Sequence, residues 1–280
     1  MGTPIVSVVI PCYNQGHFLR EALSSLDRCD HSLFETIIVN DGSTDAGTIE
    51  YLNELQRAGV NVVYQKNMGL GAARNTGISL AKGEYILPLD CDNKILPEYL
   101  PKALEILSEN QRVAVVYGNA SYFGEQGGIL RPGRFNLQRL MLGNYIDACA
   151  VIRKSVLVEI GGYDAMAVMG IEDWDLWLRI AFRGYGFHYV NEILFEYRVV
   201  PNSMLRSLNK NIQKMNDVER YIGEKYANEL DFEFVNNNFI WKMKKKPLKF
   251  LYRLLLKKCF PRYYQKRIRQ NKLYNGWLYY

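Results

Sequence analysis

The chain has 280 residues, of which 48% are hydrophobic and 23% are charged, and its formal net charge is +6. A chain of this length can bury a full core, and it has no run of about 18 uncharged apolar residues, which argues against a membrane-spanning helix. Its five cysteines are odd in number and lack Cys-x-x-Cys spacing, which argues against a disulfide framework or a zinc site and indicates a reducing compartment.

Apolar runs and helical patterns alternate along the first 120 residues. Residues 5–12 form a near-continuous β-branched run, which is typical of a strand covered on both faces. The pattern predicts further strands at 36–39, 60–65, 85–89 and 113–117, with helices through 18–26, near 48–58, at about 69–81 and from Pro97. This alternation indicates βαβ units and an α/β, Rossmann-like fold with a mostly parallel central sheet flanked by helices.

The regular pattern loosens over residues 119–145, which predicts a long irregular excursion. Beyond it, the sequence predicts a strand and a short helix within 146–164, an aromatic helix at 172–182, and one more strand or strand pair at 188–200. We therefore divide the chain into a main domain at 1–204, a helical extension at 205–240 and a basic helical tail at 241–280.

Polar segments follow the first four predicted strands. In chain order they are PCYN, NDGSTD, QKNMGLGAARN and DCDN. In an open α/β sheet, ligands bind beyond the carboxyl ends of the strands. We therefore expect the four segments to converge on one crevice.

The pair Asp90 and Asp92 comes directly after a buried strand. Two carboxylates at this spacing can share a hard cation and leave coordination sites for phosphate oxygens, and such a metal neutralises a diphosphate leaving group. An ordinary turn is the alternative, because Asp and Asn are common turn residues. The position beside three other polar segments favours the metal.

The first two segments, PCYN and NDGSTD, offer groups that could hold a nucleotide. Asp41 can accept hydrogen bonds from a base or a ribose, whereas Asp45 is better placed to cap the following helix. Tyr13, between Pro11 and Asn14, offers a ring for stacking on a base, although a Tyr at a strand end often only packs.

The third segment resembles a phosphate loop only superficially, because it lacks both the third Gly of a dinucleotide fingerprint and a Gly-Lys-Ser/Thr sequence. Its small residues, Gly69 among them, let the helix start lie close to a ligand that Lys66 and Arg74 could face. Tight packing of the helix on the sheet would explain the small residues but not Arg74.

Acidic residues begin the predicted helix EDWDLW. Asp173 or Glu172 could act there as a general base that deprotonates an acceptor hydroxyl. The helix dipole also favours acidic residues at this position, so the residues alone leave both interpretations open.

Seven segments between about residues 4 and 204 occur in the order and at the spacing of one known family. They are VSVVIPCYN, IIVNDGSTD, NMGLGAARNTGI, GEYILPLDCD, VIRKSVLVEIGGYD, EDWDLWLR and YRVVPNSM. The chain thus resembles family 2 of the inverting glycosyltransferases, which has the GT-A fold.

The resemblance implies a role for each candidate residue. Asp92 would bind Mn²⁺ or Mg²⁺ bridging the donor diphosphate, and Asp173 would be the catalytic base of a single displacement with inversion. The residues assigned to the nucleotide-sugar pocket are Pro11, Tyr13, Asn14, Asp41, Lys66, Gly69, Arg74 and Asp90.

The chain departs from the family pattern at Val200, where many relatives have a His that helps to hold the metal or the diphosphate. This departure puts the metal affinity in question. The QxxRW motif and the membrane spans of processive members are absent, so we expect transfer of one sugar per event.

The tail at 241–280 holds thirteen Lys or Arg and no Asp or Glu, which leaves a balance of −7 in the rest of the chain. From 246 to 260, apolar residues recur at helical spacing beside cations, which suits a helix lying on an anionic membrane. The alternatives are packing on the body with a solvated charged face, and nucleic-acid binding.

We expect an enzyme that moves one sugar from a nucleoside-diphosphate sugar, with UDP favoured by the resemblance, to a hydroxyl of a saccharide or lipid-linked acceptor in cell-envelope or surface polysaccharide synthesis. The alternatives are a sugar nucleotidyltransferase and a nucleotide-sugar-binding protein that has lost turnover. The expected location is cytoplasmic, peripheral on the inner face of the membrane, and nucleic acid is not expected as a partner.

Overall fold

A computed structural model of the chain describes residues 4–164, 170–200, 211–230, 244 and 247–269. These residues fall into two compact units. The first comprises the described residues up to Phe135 together with Tyr145–Val200, and the second comprises Asn136–Asn144 and the described residues beyond 200. The domain boundaries predicted at 204 and 240 lie outside the described residues.

The first unit is built on a sheet of nine strands within the described residues. The strands are β1 (Val6–Cys12), β2 (Phe34–Asp41), β3 (Asn61–Gln65), β4 (Tyr85–Pro88), β5 (Lys94–Ile95), β6 (Val113–Gly124), β7 (Gly128–Leu130), β8 (Val151–Arg153) and β9 (Gly186–Val199). The described helices are α1 (Gly16–Leu26), α2 (Ala46–Arg57), α3 (Leu70–Leu80), α4 (Tyr99–Glu109), α5 (Leu137–Leu142), α6 (Lys154–Glu159), α7 (Glu172–Phe182), α8 (Ile212–Lys225), α9 (Pro247–Cys259) and α10 (Pro261–Arg269).

The strands β3, β2, β1 and β4 lie side by side in this order and run parallel. Every residue of β1 is buried, and Val6 lies between Phe34 of β2 and Tyr85 of β4. A strand with neighbours on both edges and cover on both faces needs apolar side chains in both directions, as its near-continuous run predicts. The α/β fold with helices flanking a central sheet is confirmed.

The sheet continues beyond β4 through β8, β6, β9 and β5. Strand β8 is antiparallel to both β4 and β6, whereas β6 and β9 run parallel to each other. Strand β6 reaches Gly124 and turns back into β7, so the irregular excursion predicted from residue 119 is wrong for its first part. The backbone pairing of β6 with β9 holds these residues in the sheet, although their own composition shows no strand pattern.

Small residues let helix α3 lie close to the sheet and to its neighbours. A Cβ added to Gly77 would lie 2.3 Å from Cγ1 of Val9 in β1. A Cβ added to Gly71, at the start of the helix, would lie 3.4 Å from Cβ of Tyr163. Tight packing therefore requires glycine at Gly77, whereas a side chain at Gly71 would make an ordinary van der Waals contact.

The second unit is helical in its described part. Helix α8 buries Val218 and Ile222, while Leu256 of α9 and Tyr264 of α10 are also buried. Asn211 caps α8, because its side-chain oxygen accepts hydrogen bonds from Gln213 N and Lys214 N. Across the described ranges, none of the helices has the length and hydrophobicity that crossing a membrane requires.

We predict that Gly77→Ala lowers the free energy of unfolding by about 1–3 kcal/mol, because the new methyl group overpacks α3 against Val9. Gly47→Ala is the matched control: it lies in α2, its Cβ would have its nearest neighbour 3.6 Å away, and Ala in a helix is favoured over Gly by up to about 1 kcal/mol. Urea denaturation of both variants measures the difference. Equal stabilities for the two would contradict the close approach.

Candidate active site

The carboxyl ends of β1, β2, β3 and β4 lie at one edge of the sheet, because these neighbouring strands run parallel. The segments that follow them are the four polar segments of the sequence. The structure therefore brings the four predicted segments to this edge.

Asn14 joins the segments that follow β1 and β2. It has a positive φ of 55°, and its side-chain oxygen accepts hydrogen bonds from Thr44 N at 2.7 Å and Asp45 N at 2.9 Å. Its backbone N–H donates to Ser43 Oγ at 3.0 Å. Asn14 thus shapes the edge, while the neighbouring Tyr13 ring is exposed there and Pro11 is buried.

Asp45 is the N-cap of helix α2. Its Oδ2 accepts hydrogen bonds from the backbone N–H and the hydroxyl of Thr48, both at 2.7 Å. These bonds lower the pKa of Asp45, because they stabilise its ionised form. The predicted capping role is confirmed.

Asp41 is buried at the end of β2 and anchors the segment after β3. Its Oδ1 accepts from Gln65 Nε2 at 2.7 Å and Met68 N at 2.9 Å, and its Oδ2 accepts from Gly69 N at 2.9 Å. Gly69 adopts a φ of 91°, which favours glycine. The segment is thereby held in place beside the exposed Lys66.

Arg74 connects two acidic segments that are far apart in the chain. The side chain is 1% exposed, and its NH2 lies 2.7 Å from Asp90 Oδ1 while its NH1 lies 3.1 Å from Glu172 Oε1. The guanidinium also lies over the ring of Tyr163, at 5.2 Å from its centroid. Ion pairing therefore explains the buried cation that helix packing left unexplained.

Asp92 lies beside Asp90 without sharing its Arg74 contact. Burial and the negative charge of Asp90 raise the pKa of Asp92 to about 7. Its backbone oxygen accepts a hydrogen bond from Nε of Arg198 at 3.1 Å. A cation bound nearby would therefore stabilise the ionised form of Asp92.

Arg198 is a supporting residue that the sequence reasoning missed. Its backbone N–H donates to Asn93 Oδ1 at 2.9 Å, and its guanidinium lies between the rings of Phe18 and Phe123, at 4.5 and 4.3 Å from their centroids. Together with the bond to Asp92, these contacts fix the segment after β4 against β9. The sequence signal that could have identified Arg198 is its place in the matching segment YRVVPNSM.

Asp147 is a second residue that the sequence reasoning missed. Burial and the charge of Asp90 raise its pKa to about 6, and its Oδ1 accepts a hydrogen bond from Cys149 N at 2.9 Å. The negative charge of Asp147 also raises the pKa values of Asp92 and Asp173. The structure thus adds a carboxylate from the segment before β8, for which the sequence offers no motif.

Asp173 lies in the first turn of α7, next to Glu172. Burial and the charge of Glu172 raise its pKa to about 8, against the opposing effect of Arg74. Its Oδ1 accepts a hydrogen bond from Trp174 N at 2.8 Å. A half-buried carboxyl with this pKa is ionised, and can accept a proton, at and above about pH 8.

The side chain of Asn75 ties α3 to the segment before α7. Its Nδ2 donates to Tyr163 O and its Oδ1 accepts from Tyr163 N, both at 2.7 Å. Burial raises the pKa of Tyr163 well above its usual value, so the phenol stays neutral beside Arg74. These bonds keep Tyr163 against the guanidinium.

The carboxylates of Asp90 and Asp92 are the kind of ligand that Mg²⁺ and Mn²⁺ prefer. In the part of the chain that the structure describes, no group of three or more His, Cys, Asp or Glu side chains could hold a metal ion alone. The donor set therefore fits a cation that takes its other ligands from a diphosphate and water. Val200 offers no imidazole to this set.

Comparison with known sequences identifies relatives of one kind. The model of the Glycosyl transferase family 2 matches residues 7–166. An uncharacterized glycosyltransferase of Methanocaldococcus jannaschii is 27% identical over 256 residues, which are 87% of this chain and 86% of that protein. The putative teichuronic acid biosynthesis glycosyltransferase TuaG of Bacillus subtilis is 29% identical over 207 residues, which are 72% of this chain and 81% of that protein. Some relatives are longer, and the chain spans 34% of an uncharacterized glycosyltransferase of Rickettsia conorii.

Comparison with solved structures identifies the fold. S. aureus TarS 1-349 in complex with UDP-GlcNAc has a TM-score of 0.65 at 20% identity, covering 86% of this chain and 74% of that chain. The mannosyltransferase PcManGT from Pyrobaculum calidifontis, in complex with GDP-Man and Mn²⁺, has a TM-score of 0.59 at 17% identity, covering 100% of this chain and 89% of that chain. The predicted GT-A fold is confirmed. Because the family model covers more than half of the residues, the chain belongs to glycosyl transferase family 2.

Proposed function

We propose that this glycosyltransferase moves one sugar, with inversion, from a nucleoside-diphosphate sugar to a hydroxyl of a saccharide or lipid-linked acceptor. The observation that carries the proposal is the buried Arg74, which joins Asp90 to Glu172 and so brings the Asp pair and the start of α7 into one site. The UDP-GlcNAc complex of TarS supports UDP as the nucleotide. The relative TuaG supports a role in cell-envelope polysaccharide synthesis.

The donor nucleotide would bind at the edge formed by the segments after β1, β2 and β3. Tyr13 and Lys66 are exposed there, so a ring and a cation are available to the base and the phosphates. Asn14, Asp41 and Gly69 would contribute mainly by shaping these segments through their hydrogen bonds. Pro11 and Arg74, which are buried, would form the protein side of the pocket.

Asp92 would hold Mn²⁺ or Mg²⁺, and Asp90, oriented by Arg74, would face the ribose or the sugar. The Mn²⁺ complex of PcManGT supports a divalent cation. A cation bound there would act as a Lewis acid that neutralises charge on the diphosphate leaving group. The hydrogen bond from Arg198 to the backbone oxygen of Asp92 would hold this segment in place.

Asp173 would be the catalytic base. The acceptor hydroxyl oxygen attacks the anomeric carbon from the face opposite the diphosphate, and its proton passes to the Asp173 carboxylate. The bond from the anomeric carbon to the diphosphate oxygen breaks, and its electron pair leaves with the nucleoside diphosphate. Attack from the opposite face inverts the anomeric configuration.

The reaction products separate this proposal from the two alternatives. A sugar nucleotidyltransferase needs a nucleoside triphosphate and releases pyrophosphate, whereas the proposed enzyme releases a nucleoside diphosphate. A binding protein without turnover releases neither. The partners of the proposed enzyme are the donor and the acceptor.

We predict that Asp173→Asn lowers the transfer rate about a hundredfold to ten-thousandfold, the usual contribution of a general base, while UDP binding is retained. The isosteric amide cannot accept the proton, but it keeps the shape of the site. Asp45→Asn is the matched control, because Asn caps a helix as well as Asp does. Comparable transfer by Asp173→Asn and the parent would refute the base assignment.

We predict that Asp92→Ala abolishes the metal-dependent part of UDP binding. In calorimetric titrations of UDP, Mn²⁺ should tighten binding to the parent at least about tenfold, as one charge-stabilised metal contact would, and should leave the variant unchanged. Asp27→Ala, an exposed change at the end of α1, should behave as the parent. Equal metal effects in Asp92→Ala and the parent would exclude Asp92 as the ligand.

We predict an acid limb in the pH profile of kcat/KM that belongs to Asp173. Its pKa of about 8 means that the base becomes protonated as the pH falls below that value, so activity should fall with falling pH. The residual transfer of Asp173→Asn, measured at high enzyme concentration, should lack this limb. A limb that persists in the variant would belong to another group, such as Asp92 with its pKa of about 7.

A further inference from the structure

Helix α9 carries an exposed apolar stripe. Its members recur at the spacing of one helix face, are between 47% and 82% exposed, and consist of Leu248, Leu251, Tyr252 and Leu255. The rings of Phe260, between the helices, and Tyr263, in α10, are also exposed. Contiguous apolar surface of this kind marks an interaction site on a folded protein.

The stripe is not the face with which these helices pack inside the second unit. Leu256 of α9 and Tyr264 of α10 are buried, and Lys257 interacts electrostatically with Glu219 of α8. The helices therefore already have a packed face. The stripe of Leu and Tyr side chains is additional apolar surface.

Exposed cations lie near the stripe along the chain. Lys244, Lys258, Arg262 and Lys266 are exposed, and residues 241–280 contain no acidic residue that could offset them. The partner must therefore combine negative charge with an apolar interior. An anionic lipid bilayer does so at its interface, where Leu side chains enter the acyl boundary and Lys or Arg side chains meet the headgroups.

We infer that the stripe of α9, with its cationic border, binds the surface of an anionic lipid bilayer. The helix has 13 residues and is too short to span a bilayer, so it lies along the interface. A nucleic acid would satisfy the cations and could stack on the ring of Tyr252, but the three Leu side chains that make up most of the stripe have no ring to stack on bases. The inference does not depend on the proposed reaction, because lipid binding is measured without donor or acceptor.

Cys259 provides a site-specific probe, because it is exposed at the end of the stripe whereas Cys12, Cys29, Cys91 and Cys149 are buried. An environment-sensitive fluorophore on Cys259 of the full chain is titrated with phosphatidylcholine vesicles, with and without phosphatidylglycerol. We expect a blue shift, and quenching by spin-labelled lipid, with the anionic vesicles. An unchanged spectrum with both vesicle types overturns the inference.

The stripe is tested in the unlabelled protein with the double variant Leu251→Ser, Leu255→Ser, whose exposed positions do not contribute to the core. We expect its partitioning onto anionic vesicles to fall at least tenfold, equivalent to about 1.4 kcal/mol. Val158→Ser, which removes an exposed apolar side chain from α6, should partition as the parent does. Equal partitioning of the double variant and the parent would show that charge alone holds the protein on the vesicles. Binding to an RNA oligonucleotide but not to vesicles would assign the surface to nucleic acid. Either result rejects the apolar contact with lipid.

Discussion

One buried guanidinium, that of Arg74, joins the two acidic parts of the candidate site. It pairs with Asp90 after β4 and with Glu172 at the start of α7, residues that lie 16 and 98 positions away in the chain. A buried cation is costly without carboxylates around it, and buried carboxylates are equally costly without the cation. Removing Arg74 would leave both carboxylates without their cation, whereas removing either carboxylate would leave the guanidinium with one ion pair. The two ion pairs hold the strand end beside the helix start.

The same arrangement sets the electrostatics of the site. Arg74 cannot neutralise all the carboxylates that meet there, and the excess of negative charge in a buried place raises the pKa values of Asp92, Asp147 and Asp173. Such a site favours a divalent cation, and its carboxyl groups take up protons at a higher pH than exposed ones do. The two halves of the proposed reaction, neutralising a diphosphate and deprotonating a hydroxyl, therefore depend on one excess of charge.

The two units of the chain differ in the chemistry of their surfaces. The edge of the sheet in the first unit is acidic and polar, whereas the described tail of the second unit is cationic and carries exposed Leu and Tyr side chains. The two proposals are complementary, because a lipid-linked acceptor is confined to the kind of surface that the stripe of α9 would contact. The enzyme would then encounter such an acceptor at the membrane interface.

Three features could be predicted from the sequence alone: the parallel half of the sheet, the position of Asp90 and Asp92 after β4, and the capping role of Asp45. These features depend on local periodicity and on residues close to a strand end, which a single segment displays. Three other features became visible only in the folded chain: Asp41 anchors the segment after β3, Arg198 supports Asp92 across 106 positions, and Asp147 joins the site. The tertiary structure also decided the extent of β6, whose residues after 119 are held by pairing with β9. These contacts join segments that are far apart in the chain. The residues of one segment do not indicate which other segment will pack against it, because that depends on how the whole chain folds.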